Sequence, residues 1–575
     1  MIVRSLDSAA ADDLRRVALS FGDDAAARKA AALARCASRR IDDPAGLVAY
    51  HDCLLCLLAY PETRALRDAA RAELSRVAAA ARDLIAKGRA RIRARLANTG
   101  IAWTPVTINF GWDIARWLVE RFPKHADIDS FGDDGVALST VLAAALPPME
   151  FELAAGDEAS YEFLERASAG RPGTRLAWLV AALLRLRCDD ALREQHFDAL
   201  QPYTVIEPGR SMLSRTFVRG LPGPTYFHRD GLTRTVDVPA LLDQPLAARA
   251  PLAHDERLRV VDAGRAMLAA MGRETDAIAL ASPDGVAWHE LGRGVAVALY
   301  TMRPERRGPL DSHIGMMLFK NGIPVGYGGG WPFLGTCRIG VNIFAPYRGG
   351  ESAFLFGQVL RVYRQRFAVR RFVVEPSQFG GTNKEGLQSG AFWFYYRLGF
   401  RPIEPRSARL AAEEWTRMQA DPAYRTPIPA LRRCGASDIE LRLEASADCE
   451  TASLSDAVTA WIAKRHTGDR SAAERAALAI ATRALHVTGQ DRWPESERRA
   501  FACLALLVAQ IRDLDRWSAA EKRALIAVMR AKGGDEFRFH RLLGRHRRLR
   551  DALVRIANAA GTSPSPAVRD GIAVT

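Results

Sequence analysis

Cysteine and long apolar stretches are scarce in this chain. Only 8 of its 575 residues are Cys, which is too few for a disulfide framework in a chain of this length. Cys53 and Cys56 have no second cysteine pair at a suitable distance, so we predict buried helix thiols rather than a zinc or redox site. No apolar run reaches the ~20 residues that cross a bilayer, and no secretory signal is visible. We therefore expect a cytoplasmic protein without a membrane span or a metal site.

Lysine is scarce as well, although the chain is basic. The 81 basic residues include only 8 Lys, and the formal net charge is +15. Abundant Arg and Ala are typical of a GC-rich genome, which weakens the inference from charge to a nucleic-acid partner. The charge is uneven, because residues 288–405 carry 15 basic against 7 acidic side chains. A basic segment of this kind suits a phosphate-bearing ligand.

The sequence pattern predicts an α+β protein in which a central mixed sheet with helices is flanked by mainly helical terminal regions. The predicted regions are a helical N-terminal part (1–200), an irregular connector rich in Pro and Gly (201–250), an α+β domain (251–405), a helical C-terminal part (406–560) and a disordered tail (561–575). We interpret residues 123–135 as a polar loop. The connector is expected to cover a cleft and to hold His228 on the surface.

The α+β domain is predicted from short β-rich runs that give way to alternating helix and strand. The predicted elements are strands at 295–300, 314–319, 324–328, 337–344 and 372–374, with helices at 350–367 and 389–398. Asn321-Gly322 is a strong hairpin signal, and Gly328–Trp331 suggests a bulge.

The segment that follows Phe344 carries the clearest chemical signal. Arg348-Gly349-Gly350-Glu351-Ser352-Ala353 leads from an apolar strand into a helix. A small-residue loop at a helix N-terminus offers unpaired N–H groups and the positive end of the helix dipole. Glycine lets this backbone approach a phosphate closely, and Arg adds a charged donor. The segment therefore predicts a phosphate-binding loop.

These residues resemble the GNAT acyltransferases. The family carries a comparable loop between its fourth strand and third helix, and the loop amides hold the diphosphate of coenzyme A. Further matching features are the strand Phe372–Glu375, then Asn383, then Phe394–Phe400, in the family's order. The resemblance covers roughly 120 of the 575 residues. It implies acyl transfer from acetyl-coenzyme A or another acyl-coenzyme A to an amine on a small molecule or a protein.

The resemblance also implies site residues. The implied cofactor-binding residues are Ile343, Phe344, Arg348, Gly349, Gly350, Ser352, Ala353 and Asn383. One of the first two would donate a backbone N–H to the thioester oxygen.

The implied catalytic residues are Tyr395 and Glu375. Tyr395 occupies the family's tyrosine position and would protonate the leaving thiolate, with Tyr396 as its close competitor. Glu375 is the favoured general base for the amine. Asp311 and His313 are alternatives at the start of a strand.

Three other interpretations stay open. Glu351 stands where the family usually has Gly, and two family helices are not evident between Tyr300 and His313, which would suit a degenerate module that binds a ligand or protein. Glu351 is also expected to cap the helix. The run Phe537–Arg555 holds seven Arg and two His, which favours a solvated helix face but leaves a nucleic-acid binder open. A transferase that uses an aminoacyl-tRNA donor is the third interpretation.

Overall fold

A computed structural model of the chain describes residues 4–150, 160–170, 173–247, 251–380, 383–444 and 449–561. The N-terminal part consists of helices that bury an apolar face. Asp43 accepts a hydrogen bond from the Gly46 N–H and Thr63 from the Leu66 N–H, so each starts its helix as an N-cap. The helices up to residue 200 are α1 (Ser8–Ala18), α2 (Ala25–Ala37), α3 (Pro44–Ala59), α4 (Arg64–Lys87), α5 (Ala90–Leu96), α6 (Trp112–Arg121), α7 (Leu138–Leu142), α8 (Ser160–Ser168), α9 (Arg175–Leu184) and α10 (Asp190–Ala199).

A small antiparallel sheet lies within this part. Its strands are β1 (Val106–Asn109), β2 (Ala126–Phe131) and β3 (Pro202–Ile206), with β3 in the centre. The prediction of a polar loop at 123–135 was therefore wrong. Pairing with β3 outweighs the polar composition of β2, because cross-strand contacts rather than intrinsic preference decide such short strands.

The larger sheet has eight strands in the order β10-β11-β9-β8-β7-β6-β5-β4. The strands are β4 (Ala281–Glu290), β5 (Val295–Met302), β6 (Ile314–Lys320), β7 (Ile323–Phe333), β8 (Thr336–Ile343), β9 (Arg371–Val374), β10 (Arg401–Pro402) and β11 (Ile439–Arg442). Strands β8 and β9 are parallel, and the other pairs are antiparallel. The mixed sheet flanked by helices agrees with the predicted fold class. It also includes β11, which lies in the mainly helical part 406–560 at the segment Glu440–Leu443 that the sequence suggests as a strand.

Helices cover both faces of this sheet. The helices of this part are α11 (Val238–Asp243), α12 (His254–Ala270), α13 (Asp276–Ala279), α14 (Ser352–Phe367), α15 (Lys384–Ser389) and α16 (Ala391–Arg397). A methyl group on Gly315 would touch Ala277 of α13, whereas one on Gly330 would touch Tyr363 of α14. Gly315 pairs with Gly329, the neighbour of Gly330, so these contacts lie on opposite faces.

The Asn321-Gly322 hairpin is confirmed, with φ of 48° and 76° at the two turn residues. The bulge expected at Gly328–Trp331 is wrong, because β7 pairs with β8 without a break from Gly326 to Phe333. Because Gly329 and Gly330 have no side chains, His313 approaches the sheet at Gly329 and Tyr363 approaches its other face at Gly330.

The C-terminal part divides between two apolar cores. Its first two helices pack on the core of the large sheet, and the helices from Thr451 on form a second core, to which Leu310 and Phe333 also belong. Its helices are α17 (Pro405–Ala420), α18 (Ile428–Cys434), α19 (Thr451–His466), α20 (Arg470–Leu485), α21 (Glu495–Val508), α22 (Ala519–Gly533), α23 (Glu536–Arg545) and α24 (Arg547–Gly561). From residue 562 on, the predicted tail lies outside the described residues.

Candidate functional site

The predicted phosphate loop is open to solvent on one side. A 3-10 turn at Ala345–Tyr347 follows β8, and α14 begins at Ser352. Gly349 has φ of +81°, and a methyl group there would meet nothing within 4 Å. The Leu355 N–H donates to the Glu351 carbonyl, so the amides of residues 352–354 precede the hydrogen-bond ladder of the helix. Ser352 and Ala353 are half-buried, and amides at the start of a helix are groups that bind anions.

Arg348 stands at the entrance to this loop. Its Nε donates to the Ile343 carbonyl oxygen at 2.9 Å, and its guanidinium forms an ion pair with Glu385 at the start of α15. This ion pair lowers the pKa of Glu385. Arg348 is therefore tied to the end of β8 while its side chain stays exposed. An incoming phosphate would compete with Glu385 for the guanidinium.

Glu351 occupies the N-cap position of α14, as expected, but its side chain makes no capping hydrogen bond to the helix and does not face the loop opening. Its side chain is fully buried and accepts from Lys320 Nζ at 2.5 Å and from the Thr233 N–H at 2.9 Å. Arg293 lies 3.2 Å away. Burial on its own would raise the pKa of Glu351, but Lys320 and the Thr233 N–H outweigh it and lower the pKa. The negative charge is neutralised inside the protein instead of repelling an anion at the loop.

His228 belongs to the same buried cluster, which the sequence did not predict. It is fully buried, and its ring packs against Tyr60 and Tyr226. Burial first, and then the charge of Lys320, lower its pKa to about 4. The surface position expected for His228 was wrong, because the connector folds onto the sheet. The available signal was Lys320, a rare Lys at the end of an apolar strand.

Strands β8 and β9 pair only over their first residues. Residues Thr336–Arg338 of β8 pair with Arg371–Val373 of β9. Strand β8 then continues to Ile343 without β9 beside it. The Phe344 N–H donates to Val325 on β7, which removes Phe344 as the donor to a thioester. The backbone N–H groups of successive residues in an antiparallel strand point alternately to its two neighbouring strands. Because the Phe344 N–H points to β7, the Ile343 N–H points to the other side, where β9 has ended.

Tyr395 lies beside the start of α14. It is buried, with its ring edge-on to Phe356 of α14 at 5.6 Å and edge-on to Phe379 at 6.0 Å. Burial raises its pKa, so the hydroxyl is protonated at neutral pH. Tyr396 instead packs against Trp415 and beneath Arg401, whose guanidinium lies 3.8 Å from the ring.

The candidate bases differ in their surroundings. Glu375 is exposed at the end of β9 and lies 3.5 Å from Arg338, which also binds Asp438 at 2.9 Å. Asp311 is half-buried near Thr451, and burial raises its pKa. His313 is stacked on Trp331 with centroids 4.1 Å apart, and burial lowers its pKa to about 4. His313 is therefore neutral at pH 7.

Asn383 is the N-cap of α15. Its side-chain oxygen accepts from the Gly386 N–H at 2.8 Å, and its amide nitrogen donates to the Ser377 carbonyl. Both groups are thus used to fix the connection between β9 and α15. Residues 381 and 382 of the same loop lie outside the described residues.

The arginine-rich C-terminal run forms α23 and α24. His540 and His546 are buried in the second core, and Arg548 pairs with Asp513 and Glu521, each at 3.1 Å. Cys53 and Cys56 are buried in α3, as predicted. Burial raises the pKa of both thiols.

Comparisons of the chain with family models, with curated proteins and with solved structures found no match. Among the described helices, none combines the length and apolar character needed to cross a membrane.

Proposed function

We propose that the chain is an N-acyltransferase that moves an acyl group from acyl-coenzyme A to the amine of a small molecule or protein. The observation that carries this proposal is the gap beside the end of β8, which opens next to the N-terminus of α14. By strand alternation the Ile343 N–H points towards this gap, and the helix starts with the amides of residues 352–354 nine residues later. A thioester in the gap and a diphosphate at the helix would occupy adjacent positions.

The strand order further supports the proposal. Strands β8 and β9 form the parallel pair of this sheet, and the helix between them starts at the proposed phosphate loop. This helix, α14, also places Phe356 against Tyr395. A strand, the proposed loop, a helix and a second strand follow one another here in the order that the resemblance implies.

The proposed reaction needs three groups from the protein. The neutral amine attacks the thioester carbon, and its nitrogen forms the amide bond as the carbon–sulfur bond breaks. The Ile343 N–H stabilises the oxygen that becomes negative in the transition state. The thiolate takes the Tyr395 proton, and the proton of the amine passes to Glu375, directly or through water. Glu375 is exposed at the end of β9, which supports this role because its carboxylate can exchange a proton with water.

Calorimetry with acetyl-coenzyme A tests the cofactor half of the proposal. We expect micromolar binding by the full chain and at least tenfold weaker binding by Arg348→Ala. The control is Arg409→Ala, which removes the same charge from an exposed position on α17. Absence of binding in the unchanged chain would overturn the proposal.

Thiol release from acetyl-coenzyme A in the presence of amines tests the chemistry. We expect release that Tyr395→Phe slows without weakening the binding of acetyl-coenzyme A. Binding without acyl transfer to any amine would favour the ligand-binding module instead.

A further inference from the structure

A cavity of about 910 Å³ lies between the N-terminal helices and the hairpin ends of the large sheet. This size suits a small organic ligand. Its walls come from α4, the segment after β3, α12 and the turns β4–β5 and β6–β7. No residue of the phosphate loop lies among those that form it. The cavity is therefore separate from the proposed coenzyme site.

Arginines from four distant parts of the chain converge on this cavity. They are Arg67, Arg71, Arg219, Arg259 and Arg293. Among the described residues that line the cavity, Glu290 is the one acidic side chain. This excess of like charge costs free energy in an empty cavity.

Two of these arginines are neutralised by the protein itself. Arg67 pairs with Asp68 at 2.8 Å, and Arg293 lies 3.2 Å from Glu351. Within the part of the chain that the structure describes, Arg71, Arg219 and Arg259 form no ion pair.

Arg219 is the most enclosed of the three. It is half-buried, and the protein contact of its guanidinium is a hydrogen bond from Nη1 to the Val218 carbonyl at 2.6 Å. Burial, with Arg71 nearby, lowers its pKa to about 10. Arg71 and Arg259 are exposed and lie at the opening. Guanidinium groups in this arrangement match oxyanions, which they bind through paired N–H donors.

Apolar side chains form part of the remaining wall. Leu58, Leu74, Phe217 and Trp288 line the cavity, and the segment around Gly220 is fixed by its N–H bond to the Gly322 carbonyl at 2.9 Å. A ligand that filled this space would bury a carbon skeleton against these side chains. An inorganic ion would leave most of the volume to water.

We propose that this cavity binds a small organic anion that carries two or more negative charges on phosphate or carboxylate oxygens. Arg219 holds one charged group inside, Arg71 and Arg259 hold another at the opening, and the apolar walls take the carbon skeleton. This site goes beyond the proposed acyl transfer and does not depend on it.

Calorimetry on the full chain tests the site, with inorganic pyrophosphate, citrate and glucose 1,6-bisphosphate as probes. We expect at least one probe to bind below millimolar concentration. Arg71→Met and Arg219→Met should each weaken that binding at least tenfold. Arg71 is exposed, so its variant is informative even where Arg219→Met fails to fold. The ranking of pyrophosphate and citrate distinguishes a phosphate ligand from a carboxylate ligand.

Two control variants distinguish binding in this cavity from non-specific attraction to a basic surface and from binding at the proposed coenzyme site. Arg64→Met removes an exposed charge from the same helix but outside the cavity, and it should leave probe binding unchanged. Arg348→Ala should do the same. The proposal is overturned by equal weakening in Arg64→Met, by loss of binding in Arg348→Ala, or by no probe binding at millimolar concentration.

Discussion

The pair Lys320 and Glu351 is the most buried charged contact beside the candidate site, since both side chains are fully enclosed. We predict that Lys320→Met lowers the free energy of unfolding by about 3–5 kcal/mol, because a buried carboxylate then loses its main partner. Arg293, which lies 3.2 Å from Glu351, still compensates part of its charge, so we expect a loss of free energy near the lower end of this range. Urea unfolding at pH 7 measures the change. The double variant Lys320→Met/Glu351→Leu should recover most of it, and an equally unstable double variant would contradict the charge-based explanation.

The same pair predicts a pH dependence. The folded pKa of Glu351 lies below its ordinary value of 4.5, so its contribution to stability is present above that value. The contribution is lost as the pH falls through the lower, folded pKa. Urea unfolding at pH 7 and pH 3 should therefore show a smaller acid loss in the double variant than in the unchanged chain. Equal losses would show that other carboxylates account for the acid dependence.

Glu385 competes with the proposed phosphate for Arg348. We predict that Glu385→Gln strengthens acetyl-coenzyme A binding severalfold, because the guanidinium no longer has to leave an ion pair. The exposed Glu413 of α17 provides the matched control as Glu413→Gln. Calorimetry measures both variants. Weaker binding in Glu385→Gln would mean that Glu385 positions Arg348 instead of competing for it.

At the scale of elements, Gly349 shapes the turn into α14. Its φ of +81° disfavours any side chain, although space for one exists. We predict that Gly349→Ala costs about 1–2 kcal/mol of stability and weakens acetyl-coenzyme A binding at least tenfold as the turn shifts. Gly468 has φ of +86° in similarly open space after α19. Gly468→Ala should therefore cost the same stability, measured by urea unfolding, with unchanged binding.

The elements that sequence reasoning predicted well are those whose signals are local. Strand β6 and helix α14 follow from continuous apolar or periodic patterns, and the Asn321-Gly322 turn follows from its backbone needs. Strands β2 and β4 were missed because their sequences contain Asp, Pro or Gly, and pairing partners decide their conformation. The sequence also predicted which residues form the candidate loop. It did not predict that Glu351 is buried, because the partners of Glu351, Lys320 and Thr233, come from other elements.

At the scale of the whole molecule, a buried ionic cluster joins the C-terminal helices to the large sheet. Glu536 on α23 binds Lys532 Nζ at 2.6 Å and the Ser312 hydroxyl at 2.5 Å, and Arg307 lies 3.6 Å away. Ser312 and Arg307 belong to the connection between β5 and β6. Burial would raise the pKa of Glu536, but Lys532, His540 and Arg307 outweigh it and lower the pKa. This carboxylate is thus one link between the two apolar cores, beside the apolar contacts of Leu310 and Phe333.

We predict that Glu536→Leu makes the C-terminal helices unfold separately from the sheet. The substitution leaves Lys532 and Arg307 buried without their carboxylate, which costs about 3–5 kcal/mol at the junction of the two cores. Urea unfolding followed by circular dichroism should show one transition in the unchanged chain and two in the variant. Glu497→Leu removes a half-exposed partner of Arg530 within the C-terminal part and should keep a single transition with a loss of about 1 kcal/mol or less. A single transition in Glu536→Leu would show that apolar packing around Leu310 and Phe333 is enough to couple the two cores.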